Sequence, residues 1–361
     1  ERLLLSHLGH AREVLFLEEI EPFIETEVKA LYAQHAAELG LIAFLGKASG
    51  HVAGPAGPAI GELTPEIVIA AVSALVGRPF EPRTPEFRRK VEATALPELP
   101  ARALAFCAGC PHRAAFWAIK AALELDGRDG VALGDIGCYT LGSMQTGYFT
   151  LRTVHAMGSS VGLASGFGKL AALGFHQPVV SVVGDSTFYH SVTPALINAR
   201  YNDSRLLLVV LDNSTTAMTG HQPHPGTGRS ATGEPAPPLP IEAVARALGL
   251  AVEIQDPLRT SDTVESVYRL LQTEGAKVLI LRSPCALLPW VKRTHRAMVD
   301  PERCIGEACG CARLCNRVFS CPALVWDRAG GRARVDEVLC AGCGVCVDLC
   351  PRDAIRLEEV A

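Results

Sequence analysis

The stretch Val179-Val-Ser-Val-Val-Gly-Asp-Ser186 is followed, one helix-sized segment later, by Leu206-Leu-Leu-Val-Val-Leu-Asp-Asn213. Both are apolar runs of strand length that end in a polar turn, which is typical of buried parallel strands. A strand–helix–strand unit brings the two turns to the carboxyl edge of one sheet, where α/β proteins bind ligands. A Mg²⁺ ion that coordinates a phosphate could be bound at that edge by Asp185, Asn213 and a free backbone carbonyl. The sequence therefore predicts a site for a diphosphate and magnesium.

The alternation of strands and helices continues over residues 101–290 and predicts a doubly wound, parallel α/β sheet. The predicted strands are 130–134, 179–184, 206–212, 250–254 and 277–282. The predicted helices are 112–125, 159–173, 192–201, 241–248 and 262–273. Residues 214–240 form a long stretch without periodicity directly after Asn213. We expect this stretch to be a functional loop that folds over the metal and its ligand.

Composition limits the classes of protein to consider. A chain of 361 residues with 48% hydrophobic residues predicts two or three packed domains. With a net charge of −4, the chain does not have the basic composition that is typical of nucleic-acid-binding proteins. The longest apolar runs are about strand-sized and follow no basic segment, so we expect neither a membrane span nor a signal peptide. These features predict a cytoplasmic protein.

The N-terminal third is less informative. Residues 13–39 predict a strand, Val14-Leu-Phe-Leu17, and then an acidic helix from about Pro22 to Glu38. We expect residues 1–45 to be the last part of a larger domain, whose other half lies upstream or on another chain. Residues 46–100 are rich in Gly and Pro and predict a linker. One helix is indicated there by Thr64-Pro-Glu66, an N-cap followed by proline.

Thirteen cysteines at short spacings indicate metal binding rather than a disulfide framework. The run Cys340-x2-Cys343-x2-Cys346-x3-Cys350-Pro351 matches the bacterial ferredoxin pattern, in which the fourth cysteine serves the other cluster of a pair. A zinc knuckle is the alternative, but this spacing before a proline suits zinc poorly. We expect residues 296–361, which hold nine cysteines and few apolar residues, to need two [4Fe–4S] clusters to fold.

The other half of this ferredoxin-like unit is irregular. Cys321, which precedes a proline, is expected to complete the cluster of Cys340, Cys343 and Cys346. Cys350 is expected to complete the second cluster with three of the four remaining cysteines, which are Cys304, Cys309, Cys311 and Cys315. Cys304 and Cys315 are the firmer choices, and the choice between Cys309 and Cys311 stays open. A missing or altered second cluster is an open alternative, because the spacing is not the regular one.

Four more cysteines lie at predicted strand ends or their rim. They are Cys107, Cys110, Cys138 and Cys285. Spacing alone allows them either to share a cluster or to be structural thiols. His112 and His221 lie next to the inferred site, and we treat them as candidate catalytic or substrate-orienting groups. The alternative is that both are ordinary surface or structural histidines.

Four motifs together resemble one family closely. They are Cys107-Ala-Gly-Cys-Pro-His-Arg, Gly134-Asp-Ile-Gly-Cys-Tyr-Thr-Leu-Gly, Gly184-Asp-Ser-Thr-Phe-Tyr-His-Ser and Asp212-Asn-Ser-Thr-Thr-Ala-Met-Thr-Gly-His-Gln-Pro-His-Pro-Gly-Thr-Gly228. In this order, and with a two-cluster tail behind them, they resemble the large subunit of indolepyruvate ferredoxin oxidoreductase, within the 2-oxoacid:ferredoxin oxidoreductase superfamily. The resemblance spans roughly residues 13–361.

The resemblance implies thiamine diphosphate with Mg²⁺. The implied metal ligands are the side chains of Asp185 and Asn213 and the carbonyl of Thr215. The implied contacts to the cofactor lie in three turns, formed by Gly134, Asp135, Ile136 and Gly137, by Gly184, Asp185 and Ser186, and by Thr215, Thr216, Ala217 and Met218. It also implies that Cys107, Cys110, Cys138 and Cys285 hold the cluster nearest to thiamine. Three [4Fe–4S] clusters then use twelve of the thirteen cysteines.

The implied activity is oxidative decarboxylation of an arylpyruvate-type 2-oxoacid to an acyl-CoA, with single electrons passing through the clusters to ferredoxin or another low-potential acceptor. By the same resemblance, residues 1–45 are the remnant of a transketolase C-terminal-like domain, and residues 101–295 bind thiamine diphosphate.

The family's pyrimidine-binding domain is not recognisable here. We therefore expect a hetero-oligomer with a chain that carries that domain and with a smaller gamma-type (beta) subunit, and no turnover by this chain alone. The alternatives are an electron-transfer subunit without thiamine chemistry and a related enzyme acting on phenylglyoxylate.

Overall fold

The computed structural model of the protein describes residues 1–53, 61–81, 83–94 and 103–360. The chain divides into two units, Glu1–Ala101 and Arg102–Ala361. Residues 54–60, 82 and 95–100 of the predicted linker lie outside the described residues. None of the helices in the described part of the chain combines the length and apolar composition that a membrane crossing needs.

The described residues of the first unit form four helices and one pair of short parallel strands. The helices are α1 (Arg2–Leu8), α2 (Phe23–Leu39), α3 (Pro65–Leu75) and α4 (Pro85–Thr94). The strands are β1 (Glu13–Leu15) and β2 (Ala43–Leu45). A small core formed by Leu8, Phe16, Val28 and Ile42 joins α1, α2 and the two strands. The predicted strand and acidic helix correspond to β1 and α2, whereas α1 was not predicted.

Two helices, rather than one, lie in the stretch predicted as a linker. α3 starts as predicted, because the Thr64 hydroxyl accepts a hydrogen bond from the Ile67 amide at 3.4 Å. α4 starts in the same way, with the Thr84 hydroxyl accepting from the Phe87 amide at 3.2 Å. The start signal of α4, Thr84-Pro-Glu86, repeats the one before α3. The second helix was therefore readable from the sequence, although its polar surface leaves no buried residue to give it periodicity.

Six parallel strands form the sheet of the second unit. They are β3 (Val131–Gly134), β4 (Leu151–Val154), β5 (Val179–Gly184), β6 (Leu206–Asp212), β7 (Ala251–Gln255) and β8 (Ala276–Arg282). Their order is β4-β3-β5-β6-β8-β7, and every pairing is parallel. The chain runs outward from β3 to β4 on one side and through β5 and β6 on the other. The topological switch point, where such sheets bind ligands, therefore lies between β3 and β5.

Helices cover both faces of this sheet. They are α5 (Pro111–Asp126), α6 (Ser159–Phe167), the single turn α7 (Asp185–Thr187), α8 (Thr193–Tyr201), α9 (Ile241–Ala247) and α10 (Thr260–Leu271). Val180 and Val182 of β5 face α5 and α10, whereas Val179 and Val183 face α6, α8 and α9. Burial on both faces explains why the central strands are continuous apolar runs instead of alternating ones. The predicted doubly wound α/β fold is confirmed.

One strand and one helix end differ from the predictions. Edge strand β4 was not predicted, because Leu151-Arg-Thr-Val154 pairs on one side only and carries little apolar pattern. The helix predicted over 159–173 ends at Phe167, and a separate turn of 3-10 helix covers Leu170–Leu173. At Gly168 a Cβ atom would lie 2.5 Å from the carbonyl oxygen of Arg205, so the chain passes too close to its neighbour for any other residue. The helix pattern therefore stops where the backbone must pack tightly.

The C-terminal part of this unit contains two short antiparallel pairs of strands and two short helical turns, Gly306–Cys309 and Leu314–Val318. β9 (His295–Val299) pairs with β12 (Ile355–Glu359), and β10 (Leu324–Asp327) pairs with β11 (Arg332–Val335). Cysteines make up part of its core, together with a few apolar side chains such as Phe319, Leu324 and Ile355. A core of this kind is consistent with the predicted ferredoxin-like unit.

A buried polar network ties the turn after β3 to the neighbouring elements. The Asp135 carboxylate, fully buried, accepts hydrogen bonds from the Tyr139 hydroxyl and from the Ser160 hydroxyl, the latter at 2.8 Å. The Tyr139 hydroxyl also lies 2.8 Å from the Thr187 hydroxyl in α7. Burial raises the pKa of Asp135, and the hydrogen bonds from Tyr139 and Ser160 oppose that rise. The network holds β3, α6 and α7 in register beneath the switch point.

We expect the substitution Tyr139→Phe to lower the free energy of unfolding by about 2 kcal/mol, because it removes one donor from a buried carboxylate. Denaturant unfolding of the anaerobically purified protein measures this change. Tyr201→Phe is the matched control, since Tyr201 is 87% exposed. Its effect should stay within about 0.5 kcal/mol. Equal effects of the two substitutions would contradict a structural role for the network.

Candidate active site

One cavity at the switch point collects most of the predicted cofactor contacts. It is lined by His112, Ile136, Gly137, Cys138, Tyr139, Met157, Gly184, Asp185, Ser186, Thr187, Asn213, Thr215, Thr216, Ala217 and Met218. These residues come from the turns that follow β3, β4, β5 and β6 and from the start of α5. The parallel sheet therefore brings together segments that are far apart in the chain, as the sequence predicted.

Three oxygen ligands of the predicted metal site lie next to one another. One atom of the Asn213 side-chain amide lies 2.7 Å from the Thr215 carbonyl oxygen and 3.2 Å from Asp185 Oδ2. With its nitrogen in that place, the amide donates to both oxygens. With its oxygen there, the three oxygens face a common point, which is the donor set that Mg²⁺ prefers. The residues present therefore fit a magnesium ion.

The Asp185 carboxylate is held rigidly. Oδ1 accepts from the amide of Ser186 at 2.8 Å, and Oδ2 accepts from the amides of Asn213 at 3.1 Å and Thr215 at 3.3 Å. Asp185 and Asn213 are both buried. The carboxylate thus joins the end of β5 to the start of the long loop after β6. Because it is buried, its negative charge needs a cation or a hydrogen-bond donor to compensate for the loss of water.

His224 is the functional residue that the sequence analysis missed. Its Nδ1 accepts from the amide of Gly226 at 3.2 Å, so the ring proton of the neutral form lies on Nε2. Nε2 lies 3.1 Å from Asp185 Oδ2, and the ring stacks on Tyr189 with centroids 5.6 Å apart. The contact with Asp185 is close but not well aligned for a hydrogen bond. Among the polar contacts of the described residues, His224 is therefore the side chain of the long loop that lies closest to the Asp185 carboxylate.

Two of the predicted site residues occupy other positions. His221 is exposed and does not line the cavity, because the loop turns back at a bridge between Thr216 and Gln222. The residue of this loop that reaches Asp185 is His224, and nothing in the sequence distinguishes the two histidines. Asp135 points into the buried network below the cavity, so it supports the turn rather than lining the site. Gly134, which precedes it, ends β3.

His112 lies where the sequence predicted it, buried on the cavity wall at the start of α5. Burial lowers the pKa of His112 to about 4, and the negative charge of Asp185 opposes this shift. A cation on Asp185 would weaken that opposition, so it would shift the pKa further in the same direction. His112 is therefore a neutral imidazole near pH 7.

The thiols predicted to hold the proximal cluster are neighbours. Burial raises the pKa of Cys138 to about 11, and the thiols of Cys285 and Cys107 raise it further. Burial also raises the pKa of Cys110 to about 12, against the amide donors of His112 and Arg113. Thiolate ligands are stable at such buried positions only with a metal centre to balance their charge. The convergence of these four cysteines agrees with the cluster that the family resemblance implies.

The tail cysteines form two groups. Cys321, Cys340, Cys343 and Cys346 line one small cavity, and this is the set that the sequence predicted. Cys304, Cys309, Cys311, Cys315 and Cys350 line a second one. Backbone amides approach the sulfurs, from Ala297 to Cys340 Sγ at 3.5 Å and from Ala354 to Cys350 Sγ at 3.3 Å. All thirteen cysteines are free thiols. The donor sets fit iron–sulfur clusters, whose sulfur ligands accept such hydrogen bonds.

The five thiols of the second group differ in whether they interact with Cys315. Burial raises the pKa of Cys315 to about 11, with further contributions from Cys311, Cys304 and Cys350. Cys309 interacts with Cys311 instead. The Cys315 thiol therefore interacts with Cys304, Cys311 and Cys350, whereas Cys309, which lines the same cavity, interacts with Cys311.

Comparison with known proteins agrees with this geometry. Residues 135–281 match the family described as "Thiamine pyrophosphate enzyme, C-terminal TPP binding domain", and residues 333–356 match "4Fe-4S binding domain". The main domain is thus of the thiamine diphosphate-binding class, and an iron–sulfur domain follows it.

Named relatives narrow the class. The chain is 38% identical over 99% of its length to indolepyruvate oxidoreductase subunit IorA of Methanothermobacter marburgensis, covering 54% of that protein. It is 36% identical over 99% of its length to the IorA subunit of Archaeoglobus fulgidus, again covering 54% of it. The chain is thus similar over nearly all of its length to IorA subunits, and it spans about half the length of these relatives. A solved 2-oxoglutarate:ferredoxin oxidoreductase from Magnetococcus marinus is 20% identical, with a TM-score of 0.42 over 52% of this chain and 65% of that one.

The buried, neutral state of His112 makes stability depend on pH. Its pKa is about 4 in the folded protein, against 6.5 as the ordinary value. Because the unfolded chain binds a proton first, stability is complete above pH 6.5 and falls as the pH decreases toward 4. Between pH 7.5 and 5.5 the contribution of this histidine should fall by about 1.4 kcal/mol.

The difference in unfolding free energy between the native protein and His112→Asn, measured by denaturant unfolding at both pH values, isolates this contribution. We expect the native protein to lose about 1.4 kcal/mol more than the variant on acidification. Substitution of the exposed His221 by Asn serves as the control and should leave the pH dependence unchanged. A pH dependence that His112→Asn does not reduce would contradict the assignment of a neutral, buried imidazole.

Proposed function

We propose that this chain is the diphosphate-binding and electron-transfer part of a thiamine diphosphate-dependent 2-oxoacid:ferredoxin oxidoreductase. The proposed substrate is an arylpyruvate-type 2-oxoacid similar to indolepyruvate. Together with coenzyme A it is converted into an acyl-CoA, CO₂ and one proton, and two electrons are released. They leave singly through [4Fe–4S] clusters to ferredoxin.

One observation carries the proposal: a cluster cysteine and the metal-binding oxygens share a cavity. Cys138 lines the same cavity as Asp185, Asn213 and Thr215. Cys138 also neighbours Cys107 and Cys285. A diphosphate site alone would suit many α/β enzymes, and a cluster alone would suit an electron carrier. The two together fit an enzyme that passes electrons directly from its organic cofactor to a cluster.

The residues that would hold the cofactor follow from the cavity. Asp185 and Asn213 would bind Mg²⁺ through side-chain oxygens, and Thr215 through its carbonyl. The turns at Ile136–Gly137 and Thr215–Met218 would contact the diphosphate. When bound, thiamine diphosphate supplies a stabilised carbanion that can attack the keto carbon and accept the electron pair left by decarboxylation.

His112 has the properties of a proton-handling group at this site. It is buried on the cavity wall and neutral, so it can accept a proton or orient a substrate carbonyl without carrying a charge of its own. His221, exposed at the tip of the loop, can act only if the loop or a partner chain brings it to the substrate. We therefore assign the proton-handling role to His112 and not to His221.

The proposed electron route runs from the cavity into the tail. The proximal cluster would use Cys107, Cys110, Cys138 and Cys285. The next cluster would use Cys321, Cys340, Cys343 and Cys346. The last would use Cys304, Cys311, Cys315 and Cys350, with Cys309 spare. Single-electron carriers are required because the acceptor takes one electron at a time, whereas the oxidation releases a pair.

Partner chains complete the proposal. The relatives are named as subunits, and this chain spans about half of their length. We infer that a segment or chain with the pyrimidine-binding domain and a smaller gamma-type (beta) subunit act together with the residues described here. Coenzyme A and the 2-oxoacid would bind in that assembly.

Anaerobic reconstitution of the protein and its co-purifying chains with iron, sulfide, thiamine diphosphate and Mg²⁺ tests the proposal. Calorimetry should detect cofactor binding that requires Mg²⁺ and that Asp185→Ala weakens at least tenfold, because the charged ligand of the metal is lost. His221→Ala is the control for binding. Reduction of ferredoxin should require both an arylpyruvate and coenzyme A. A cluster-loaded protein that binds no thiamine diphosphate would instead be an electron-transfer subunit, and preference for phenylglyoxylate would replace the proposed substrate.

The spare cysteine is tested by iron analysis of two serine variants. We expect Cys309→Ser to keep the native iron content, because Cys304, Cys311 and Cys350, and not Cys309, are the thiols that raise the pKa of Cys315. Cys311→Ser should lose about one third of the iron, or retain it in an altered cluster with a changed EPR spectrum, because a ligand of one of three clusters is gone. The opposite pattern, with iron lost only from Cys309→Ser, would reverse the assignment.

A further inference from the structure

Arg113 is a buried cation at the junction between the thiamine domain and the ferredoxin-like tail. Its side chain belongs to α5 and is 2% exposed. Nη1 donates to the carbonyl oxygens of Phe319 and Ser320, both at 3.0 Å, and Nη2 donates to the carbonyl oxygen of Phe106. The guanidinium also lies over the rings of Phe106 and Phe319, at 5.7 and 5.8 Å from their centroids.

This charge has no protein counter-ion among the described residues. Each side-chain hydrogen bond of Arg113 goes to a neutral carbonyl, and its Nε has no partner. An arginine stays protonated in proteins, and burying its charge without a counter-ion is strongly unfavourable. A site of this kind requires a nearby negative charge. Clusters with four thiolate ligands are anions, so they would supply that charge.

The position of Arg113 places it between two proposed clusters. It follows Cys110 by one turn of helix, and its charge acts on the Cys110 thiol. The carbonyls that it binds belong to the two residues directly before Cys321. The two cluster loops also touch: a Cβ atom on Gly109 would lie 2.4 Å from the Cβ atom of Ala341. Gly109 lies between Cys107 and Cys110, and Ala341 follows Cys340.

We propose that Arg113 is the shared counter-charge of the proximal cluster and the Cys321 cluster, and that it raises the reduction potential of both. This inference rests on the proposed function, because it requires both clusters. A fixed cation stabilises the more negative, reduced state of each cluster. Arg113 therefore favours the arrival of the first electron from the cavity and its transfer across the contact at Gly109. It acts as a positioning and tuning residue and does not touch the substrate.

The matched variants are Arg113→Met, which keeps the length of the side chain without charge, and Arg113→Lys, which keeps the charge without the planar fork. The control is Arg128→Met. Arg128 lies near the amino-terminal end of β3, is partly exposed and pairs with Asp126 at 2.5 Å. The substitution Arg128→Met removes the same formal charge as Arg113→Met, but at the opposite edge of the sheet. All are prepared as the full protein with its partner chains, and their clusters are counted by iron and sulfide analysis.

The readout is an EPR-monitored redox titration of the three clusters. A charge about 10 Å away at an effective dielectric of about 20 changes the one-electron equilibrium about tenfold, which corresponds to about 59 mV. We expect Arg113→Met to lower two of the three potentials by this amount and the third by less. Arg113→Lys should change them by less than half as much, and Arg128→Met should change none.

The outcomes separate this inference from the proposed function. A native protein that takes up no clusters refutes both. A fully loaded Arg113→Met protein with native potentials refutes only the role of Arg113. If Arg113→Met fails to assemble, Arg113→Lys decides: native-like potentials in a loaded protein support the counter-charge, whereas failed assembly or lowered potentials show that the contacts of the fork, and not the charge, are required.

Discussion

The carboxylate of Asp185 is the contact on which the active-site region depends. It accepts hydrogen bonds from the amides of Ser186, Asn213 and Thr215, and His224 faces it from within the long loop. One side chain thereby joins the ends of two strands and a loop that has no periodic structure of its own. The same carboxylate is a ligand of the proposed magnesium ion. The group that organises the loop is thus the group that would hold the cofactor, so folding of the loop and cofactor binding are expected to be coupled.

The cysteines have a similar double role. The tail contains short strands and few apolar side chains, so it has little hydrophobic surface to stabilise it alone. Clusters cross-link such a segment and supply the missing stability. They also contribute negative charge, and the buried Arg113 is explained most simply by that charge. In the proposed function the same groups would stabilise the tail and carry the electrons, and the close approach of Gly109 to Ala341 would bring two of the clusters together.

Several features of the fold and the site were readable in advance. The apolar runs ending at Gly184 and Asp212 predicted β5 and β6 to within a residue, because strands buried on both faces leave a continuous pattern. The 2-2-3 spacing before Pro351 predicted which thiols share a cavity with Cys321. Strand β4 was missed because an edge strand needs only half of that pattern. The start of α4 was missed although its capping signal is present.

The sequence by itself determined the order of elements, the ligand types and their approximate places, because these follow from local patterns of polarity and spacing. Only the tertiary structure decided which of two nearby histidines reaches Asp185, that the Asp135 carboxylate belongs to a buried network, and that Arg113 is a cation without a carboxylate partner. Each of these depends on which side chain the folded chain turns inward. That choice is made by long-range packing, which residue spacing along the chain does not record.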